Sequence, residues 1–173
     1  MGTMSQYTGA ILWRSPNNMA GIMARRINGS GAYPGMVVTD TGETAPDCYL
    51  PDGNDDVTLG ILLDRADKGV DTVFADNDWC SVLMRRSGGG AWGFVDDDEG
   101  AIIPWTPLYN TGADDDGLLE VFAVTAAPTT YDDATIQGII DYLESAEQRY
   151  VGVAATSQAD QGSDDVPIKV LMV

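Results

Sequence analysis

The sequence predicts a mainly β fold: a β-sandwich or small β-barrel of short antiparallel strands, with one α-helix and an extended N-terminal arm. Short β-branched and aromatic runs recur along the chain, separated by turns rich in glycine, proline and aspartate. Residues 134–148 carry apolar side chains at helical spacing. Residues 150–173 read as an apolar strand, a polar turn and a β-branched strand, which is the pattern of a closing hairpin.

An earlier segment has the same pattern as this C-terminal hairpin. Residues 59–63 and 151–154 both begin with an apolar residue and a glycine, and an Ala-Asp-x-Gly turn follows each. We interpret the similarity as a weak internal repeat of a β-hairpin unit, and we expect residues 57–63 and 72–74 to pair as the first hairpin. Further strands are predicted at residues 36–39, 78–84, 91–95 and 118–125.

The helix prediction depends on an aliphatic stripe and a cap. Asp132 or Asp133 can cap the N-terminus of a helix over residues 134–148. We expect its stripe to pack on the sheet; the stripe consists of Ile136, Ile139, Ile140 and Leu143. The chain then divides into an N-terminal arm or first strand, residues 1–33, and a β-rich body, residues 34–173.

The charge of the chain argues against several classes of partner. It has 27 acidic and nine basic residues, no histidine and a net charge of −18. Phosphate repels such a surface, which argues against nucleic acid and anionic membranes. No apolar run approaches the roughly 18 residues of a membrane helix. The 44% hydrophobic content excludes a disordered acidic tail.

The composition and distribution of the acidic residues resemble those of proteins from extreme halophiles, particularly haloarchaea. Only two of the basic residues are lysine, and the acids occur in runs on predicted loops. Such runs repel each other, but in molar salt the screening length falls to about 3 Å and the repulsion largely disappears. The alternative is an acidic protein that works in ordinary salt.

The charge is distributed unevenly along the chain. Residues 1–39 contain no acidic residue and carry Arg14, Arg25 and Arg26, together with Trp13 and several methionines. A segment of this composition suits burial against a partner. An acidic partner surface would suit the arginines, which bind carboxylates as a fork. The alternative is a first strand and loop packed on the protein's own core.

The sequence contains no recognisable catalytic arrangement. Without histidine, neither a Ser-His nor a Cys-His pair is available. Cys48 and Cys80 are too few for a disulfide framework, and we expect buried thiols. The acidic runs at 52–56 and 96–100 do not match an EF-hand loop, although an irregular Ca²⁺ or Mg²⁺ site stays open. We therefore predict no catalysis, no catalytic or metal-binding residues and no cofactor.

Five segments together resemble the small head-decoration (cement) proteins of tailed viruses. They are Pro-Gly-Met-Val-Val (34–38), Leu-Gly-Ile-Leu (59–62), Trp-Gly-Phe-Val (92–95), Tyr-Val-Gly-Val-Ala (150–154) and Ile-x-Val-Leu (168–171). The helix and the acidic runs depart from a minimal member of that family. The resemblance implies a non-enzymatic β-rich protein on the outer capsid surface of a virion. It would clamp neighbouring major capsid subunits, often as a homotrimer.

With the halophile composition, the resemblance implies a haloarchaeal tailed virus. The candidate capsid or subunit interface consists of Trp13, Arg14, Arg25, Arg26, Trp92 and Trp105. Tryptophans at such positions act as interface anchors. The alternative is a receptor- or glycan-binding spike or surface module of a halophilic virus or cell, which would expose an aromatic patch near Trp92 or Trp105.

Overall fold

The computed structural model describes residues 12–14, 21–40, 46–53, 56–64, 72–96, 99–112, 117–122, 132–159 and 166–173. These residues form a mainly β fold, as predicted. The strands of the first half are β1 (Leu12–Arg14), β2 (Ile22–Ile27), β3 (Val37–Asp40), β4 (Asp47–Cys48), β5 (Val57–Leu63) and β6 (Trp79–Met84). The second half contains β7 (Gly90–Val95), β8 (Pro107–Asn110), β9 (Leu119–Val121), α1 (Asp133–Arg149), β10 (Tyr150–Ala154) and β11 (Val166–Leu171).

Strands β7–β11 form a nearly closed barrel, which we call the second barrel. Its order is β7-β11-β10-β8-β9, and a parallel pairing of Val95 with Leu119 returns β9 to β7. The predicted C-terminal hairpin is confirmed as the antiparallel pair β10–β11. β1 adds to the same edge of β7 that meets β9, where Leu12 pairs with Ala91 and Arg14 with Gly90.

Strands β2–β6 form another nearly closed barrel, the first barrel. Its order is β2-β6-β5-β3, and β4 runs parallel to β2, with Ile27 opposite Cys48. Thr39 of β3 closes the ring, because its N–H donates to the Tyr49 carbonyl at 2.9 Å and its carbonyl accepts from the Tyr49 N–H at 3.2 Å.

The two barrels have the same topology. The counterparts are β2 and β7, β3 and β8, β4 and β9, β5 and β10, and β6 and β11, and each pair has the same neighbours in the same relative directions. The register also agrees. Val38 pairs with Gly60 and Thr39 with Thr58, just as Leu108 pairs with Gly152 and Tyr109 with Tyr150, so both barrels have an irregularity at the same place. The chain is therefore built from two copies of one barrel topology.

This duplication extends the predicted hairpin repeat to a whole barrel and corrects one of its strands. The counterpart of β10–β11 is β5–β6, and residues 72–75 are not a strand. Phe74 is instead fully buried among the core residues of the first barrel, and its N–H donates to the Ala32 carbonyl at 2.8 Å. Phe74 therefore contributes to the core of the first barrel without pairing in its sheet.

Each repeat has a glycine at the same position, and the close approach of a neighbouring strand backbone requires it. A Cβ at Gly60 would collide with the Leu83 carbonyl oxygen, and a Cβ at Gly152 would collide with that of Leu171. Both contacts lie between the first and second strands of the repeated hairpin. The apolar-Gly pattern thus marks a position where two strand backbones come too close for any side chain.

The predicted helix is confirmed, with one more residue at each end. Asp132 caps it, because its carboxylate accepts from the Thr135 N–H at 2.8 Å and from the Thr135 hydroxyl at 2.7 Å. These hydrogen bonds lower the pKa of Asp132. α1 lies between β9 and β10, whereas residues 49–56 connect the counterpart strands β4 and β5. The helix is thus an addition to the second barrel.

A buried polar contact and a shared apolar cluster join the barrels. The Thr58 hydroxyl of β5 donates to the Arg149 carbonyl at 3.1 Å and accepts from Asn110 Nδ2 at 2.7 Å. Ile61 and Leu83 of the first barrel belong to the same cluster of buried apolar side chains as the core of the second barrel. The first barrel has a further cluster of its own.

Candidate interaction surfaces

The aliphatic stripe of α1 faces solvent. Ile136, Ile139, Ile140 and Leu143 are each between 37% and 59% exposed. The prediction that this stripe packs on the sheet is wrong. A shallow groove of about 410 Å³ lies beside Ile140 and Leu143 and continues to Glu147. We call these four aliphatic residues the α1 stripe.

The stripe is exposed because other residues of α1 hold the helix on the second barrel. The Tyr142 ring lies 4.6 Å from the Phe122 ring, which lies 4.8 Å from the ring of Tyr109. Tyr150 meets Tyr109 edge-on at 5.6 Å. These aromatic contacts partly bury Tyr142 and leave the α1 stripe outside.

The C-terminal end of α1 is anchored by a buried arginine. Arg149 Nη1 donates to the Asn110 carbonyl at 3.2 Å and to the Thr111 carbonyl at 3.1 Å, and pairs with Glu120 at 2.8 Å. Its guanidinium also lies 5.1 Å from the centre of the Phe122 ring. Burial raises the pKa of Glu120, although Arg149 opposes this effect.

Two arginines of the β6–β7 turn bind the same end of the helix. Arg85 Nη1 donates to the carbonyls of Glu147 and Gln148 at 3.1 and 3.3 Å. Arg86 pairs with the Glu147 carboxylate at 2.6 Å, which lowers the pKa of Glu147. Cations at a helix C-terminus also interact favourably with its dipole. Most of the polar contacts that hold α1 in place therefore lie at its last turn.

The turn before β8 exposes a tryptophan in an unusual conformation. Trp105 has φ of 74° and is 71% exposed, and Ile103 is also exposed. Its counterpart in the first barrel is Gly35, with φ of 96°. The two turns make matching bonds, from the Trp105 N–H to the Ala154 carbonyl and from the Gly35 N–H to that of Leu62, at 2.7 and 2.8 Å. The position suits glycine, because the left-handed region is strained for other residues.

The predicted interface residues near the N-terminus lie on two strands that belong to different sheets. Trp13 and Arg14 lie in β1, where Arg14 is exposed, and Arg25 and Arg26 lie in β2. Arg26 binds both carboxylate oxygens of Asp47, at 2.7 and 2.9 Å. This pairing lowers the pKa of Asp47 and raises that of Arg26. The rest of the predicted arm, residues 1–11 and 15–20, lies outside the described residues.

Trp92 lies in the middle of β7 and is half-buried. The Lys169 ammonium of β11 sits 5.1 Å from the centre of its ring, and the ring packs against the core of the second barrel. Among the elements that carry predicted interface residues, β1 and β7 pair with each other. β2 belongs to the other sheet, and Trp105 lies in the turn before β8. Sequence reasoning missed the α1 stripe and the exposed pair Met23 and Trp79 as surface features.

Two thiols meet in the core of the first barrel. Cys48 and Cys80 are buried as predicted, with their sulfurs 3.9 Å apart. The contact with Cys80 and burial raise the pKa of Cys48, so this thiol stays protonated. Within the described ranges, no group of three histidine, cysteine or acidic side chains is placed to hold a metal ion. The acidic runs at 52–56 and 96–100 lie partly outside those ranges.

Comparison with known proteins finds no matching family model and no curated protein with significant sequence similarity. Among the residues that the structure describes, no helix combines the length and the apolar character needed to cross a bilayer. A function for this chain therefore has to be argued from its own surfaces.

Proposed function

We propose that this protein is a structural virion protein of a haloarchaeal tailed virus. It decorates the outer capsid surface and stabilises the shell by clamping neighbouring major capsid subunits, without catalysis. The observation that carries this proposal is the α1 stripe, an exposed aliphatic face on a helix that is firmly anchored from behind. An exposed apolar face of this kind marks a surface that binds another protein.

The spacing of the stripe supports a homotrimer. Ile136, Ile139 and Leu143 occupy the a, d and a positions of a heptad, with Ile140 next to them. Isoleucine or leucine at a with isoleucine at d favours bundles of three or four helices over dimers, and the trimer is the smaller of the two. We therefore assign the α1 stripe to contacts among three copies of the chain.

The charges beside the stripe make this contact depend on salt. Asp133, Asp141 and Glu144 are exposed on the same helix and would face the like charges of neighbouring copies. Their repulsion is screened within about 3 Å in molar salt but within about 10 Å at 0.1 M. The trimer should therefore form in brine and dissociate in dilute buffer.

The stabilising effect follows from mass action. A protein that binds the assembled shell better than free subunits shifts the equilibrium toward the shell. A trimer binds through several contacts at once, and such linked contacts raise the overall affinity well above that of any single one. Modest individual contacts thus suffice to clamp a lattice.

The proposal is tested by a charge placed inside the stripe. Leu143→Glu should abolish trimer formation in molar salt, measured by light scattering, and should prevent decoration of shells stripped of the protein. Ala134→Glu is the matched control, because Ala134 is exposed outside the stripe and an acid in the first helical turn is favourable. A Leu143→Glu variant that still trimerises rules out this use of the stripe, and wild-type protein that does not bind stripped shells overturns the proposed function.

A second candidate function is favoured by Trp105. An exposed tryptophan is held in a conformation that its counterpart position fills with glycine, and residues kept in strained conformations cluster at functional sites. This arrangement supports a receptor- or glycan-binding module. Trp105→Gly should keep the fold, because the turn suits glycine. If glycan binding exists and disappears in this variant while shell decoration persists, the second candidate describes an additional or alternative role.

A further inference from the structure

Two turns with the same hydrogen bonds are covered to different extents. In residues 103–106, which we call the Trp105 turn, the last N–H donates to the first carbonyl at 3.2 Å. In residues 33–36, which we call the Gly35 turn, the same hydrogen bond measures 3.1 Å. Three of the four residues of the Gly35 turn are buried, whereas three of the four residues of the Trp105 turn are exposed. The second barrel therefore leaves open a surface that the first barrel buries.

The Gly35 turn is covered by the second barrel. The Val37 N–H, directly after the turn, donates to the Gly117 carbonyl at 2.8 Å. A Cβ added at Gly117 would lie 2.9 Å from the Met36 Cβ and 3.0 Å from Leu50 Cδ2, so Gly117 sits against both side chains. Gly117 lies between β8 and β9, and this contact therefore joins the Gly35 turn of one barrel to the other barrel.

Within the described residues, this contact between the barrels is not reciprocated. The counterpart of Gly117 is Pro46, because Leu119 of β9 corresponds to Cys48 of β4. A reciprocal contact would place Pro46 on the Trp105 turn of the same chain and would bury that turn. Trp105 is instead 71% exposed, and Pro46 is half-buried. Each chain thus presents a turn and an acceptor surface that do not meet each other.

Two sequence differences fit each other across these surfaces. Val37 corresponds to Pro107, which has no N–H to donate. The Pro46 carbonyl, which corresponds to the Gly117 carbonyl, already accepts from the Arg26 N–H at 3.1 Å. A contact between Pro107 and Pro46 therefore buries no donor that lacks an acceptor.

The charges around both surfaces allow two copies of the chain to meet there. Residues 101–113 contain no charged residue, in a chain with a net charge of −18. Beside Pro46, the Asp47 carboxylate is neutralised by Arg26, which binds both of its oxygens. Like-charge repulsion between two acidic copies is therefore weak at this contact.

We propose that the Trp105 turn of one copy packs on the first barrel of the next copy at Pro46, as the Gly35 turn packs on the second barrel at Gly117 within a chain. This inference rests on the homotrimer of the proposed function and names a second contact between its subunits. A contact between two different surfaces is head-to-tail, and such contacts generate closed rings when the rotation between copies closes. Three copies joined in this way form a ring of six barrels in which every turn of this kind is covered.

The tryptophan explains how such a contact holds between separate chains. Within a chain, the Gly35 turn is kept against the second barrel by the covalent connection and the shared core. Between chains, the contact itself has to supply the affinity. The Trp105 side chain adds a large apolar area at the position of a glycine, and tryptophans are common anchors of protein interfaces.

The turn is tested by Trp105→Gly. Because the counterpart turn has glycine at this position, the variant should keep the fold. The concentration at which half of the chains are trimeric in molar salt should rise at least about tenfold, as expected for the loss of an anchor residue. Sedimentation equilibrium measures this shift. Trp79→Thr is the matched control, because it removes another exposed indole from a strand that tolerates threonine.

The acceptor surface is tested by a charge at Pro46. Pro46→Glu keeps the main-chain carbonyl that binds Arg26 but places an acid under the apolar turn, and it should weaken the trimer about as much as Trp105→Gly. Pro46→Ala adds no charge and should trimerise like the wild type. Trimers of wild-type strength from both Pro46→Glu and Trp105→Gly overturn the inference.

Quenching of tryptophan fluorescence by acrylamide reports on the turn itself. The difference between the wild type and Trp105→Gly isolates the signal of this indole. Trp105 should be quenched readily in dilute buffer, where the proposed trimer dissociates, and should be shielded in molar salt. In Leu143→Glu, which stays monomeric, it should be quenched readily in both. Equal quenching of Trp105 in the monomer and the trimer overturns the inference.

The outcomes separate this inference from the proposed function. A wild-type chain that does not trimerise in molar salt removes the homotrimer, and the inference falls with it. A trimer that Leu143→Glu breaks and Trp105→Gly leaves intact keeps the assigned role of the α1 stripe and removes the inference alone. Shielding of Trp105 only after shells or glycans are added would show that the occupant is not a second copy, and would also overturn it.

Discussion

The two barrels share one topology but fill it with different side chains. The sulfurs of Cys48 and Cys80 meet in the first barrel. The corresponding positions of the second barrel are Leu119 and Ile168. All four of these residues are buried in a core. The comparison teaches that backbone pairing and the glycine positions define this barrel, and that the cysteines act in it as small apolar residues.

The largest differences between the barrels are a helix, a turn residue and an added strand. The second barrel carries α1 between β9 and β10, and it has a tryptophan where the first has Gly35. β1 pairs with an edge of the second barrel, and no described strand takes its place along Ile22–Arg25 of the first. These three differences are not needed to build the fold, since the described part of the other barrel lacks each of them. They are therefore the places where binding functions are expected.

The comparison predicts its largest effect at the shared glycine. Gly60→Ala and Gly152→Ala should each lower the free energy of unfolding by about 3 kcal/mol or more, because the new methyl group collides with a strand carbonyl that cannot move freely. Chemical denaturation in molar salt measures this loss. Gly138→Ala in α1 is the control: nothing lies within 4 Å of the added group, and the helix should gain about 1 kcal/mol. Alanine tolerated at Gly60 and Gly152 as well as at Gly138 would contradict the close backbone approach, and a large loss at only one of Gly60 and Gly152 would contradict the equivalence of the barrels.

A medium effect is expected where the barrels meet. Thr58→Val removes a hydroxyl that both donates to the Arg149 carbonyl and accepts from Asn110 in a buried site. The free energy of unfolding should fall by about 2 kcal/mol, because two buried polar groups lose their partner. Thr58→Ser keeps the hydroxyl and should recover most of the loss. If valine is as stable as serine, the contact does not hold the barrels together.

The smallest effect is expected at the helix that the first barrel lacks. Asp132→Ala removes the N-cap of α1 and should lower Tm by about 2–4 °C for a chain of this size. The pKa of Asp132 is lowered in the folded state, so its contribution is present above the ordinary carboxyl pKa and is lost as pH falls through the lowered value. The difference in Tm between wild type and variant should therefore shrink toward acidic pH. A difference independent of pH would show that the carboxylate is not the cap.

Local patterns predicted the elements better than their partners. The cap at Asp132 and the stripe at helical spacing predicted α1 to within one residue at each end, because helix signals lie within the helix itself. The apolar-Gly repeat at Gly60 and Gly152 revealed the hairpin unit. It did not reveal that β6, rather than residues 72–74, pairs with β5, because both runs were apolar and sequence separation alone does not select between them.

Barrel closure and surface exposure could not be predicted. The first barrel closes through short contacts such as Ile27 with Cys48, which leave no periodic pattern in the sequence. The helix has two faces at helical spacing, one aliphatic and one that contains Tyr142 and Arg149, and hydrophobicity alone favoured the aliphatic one as the buried face. The aromatic and arginine contacts that reversed this choice join residues far apart in the chain.

The most direct measurement is light scattering of the wild-type protein and of Leu143→Glu, each in molar salt and in dilute buffer. The account predicts that the wild-type chain forms a trimer in molar salt and dissociates in dilute buffer, and that Leu143→Glu stays monomeric in both. A wild-type chain that stays monomeric in molar salt, or a Leu143→Glu variant that forms the trimer there, would contradict it.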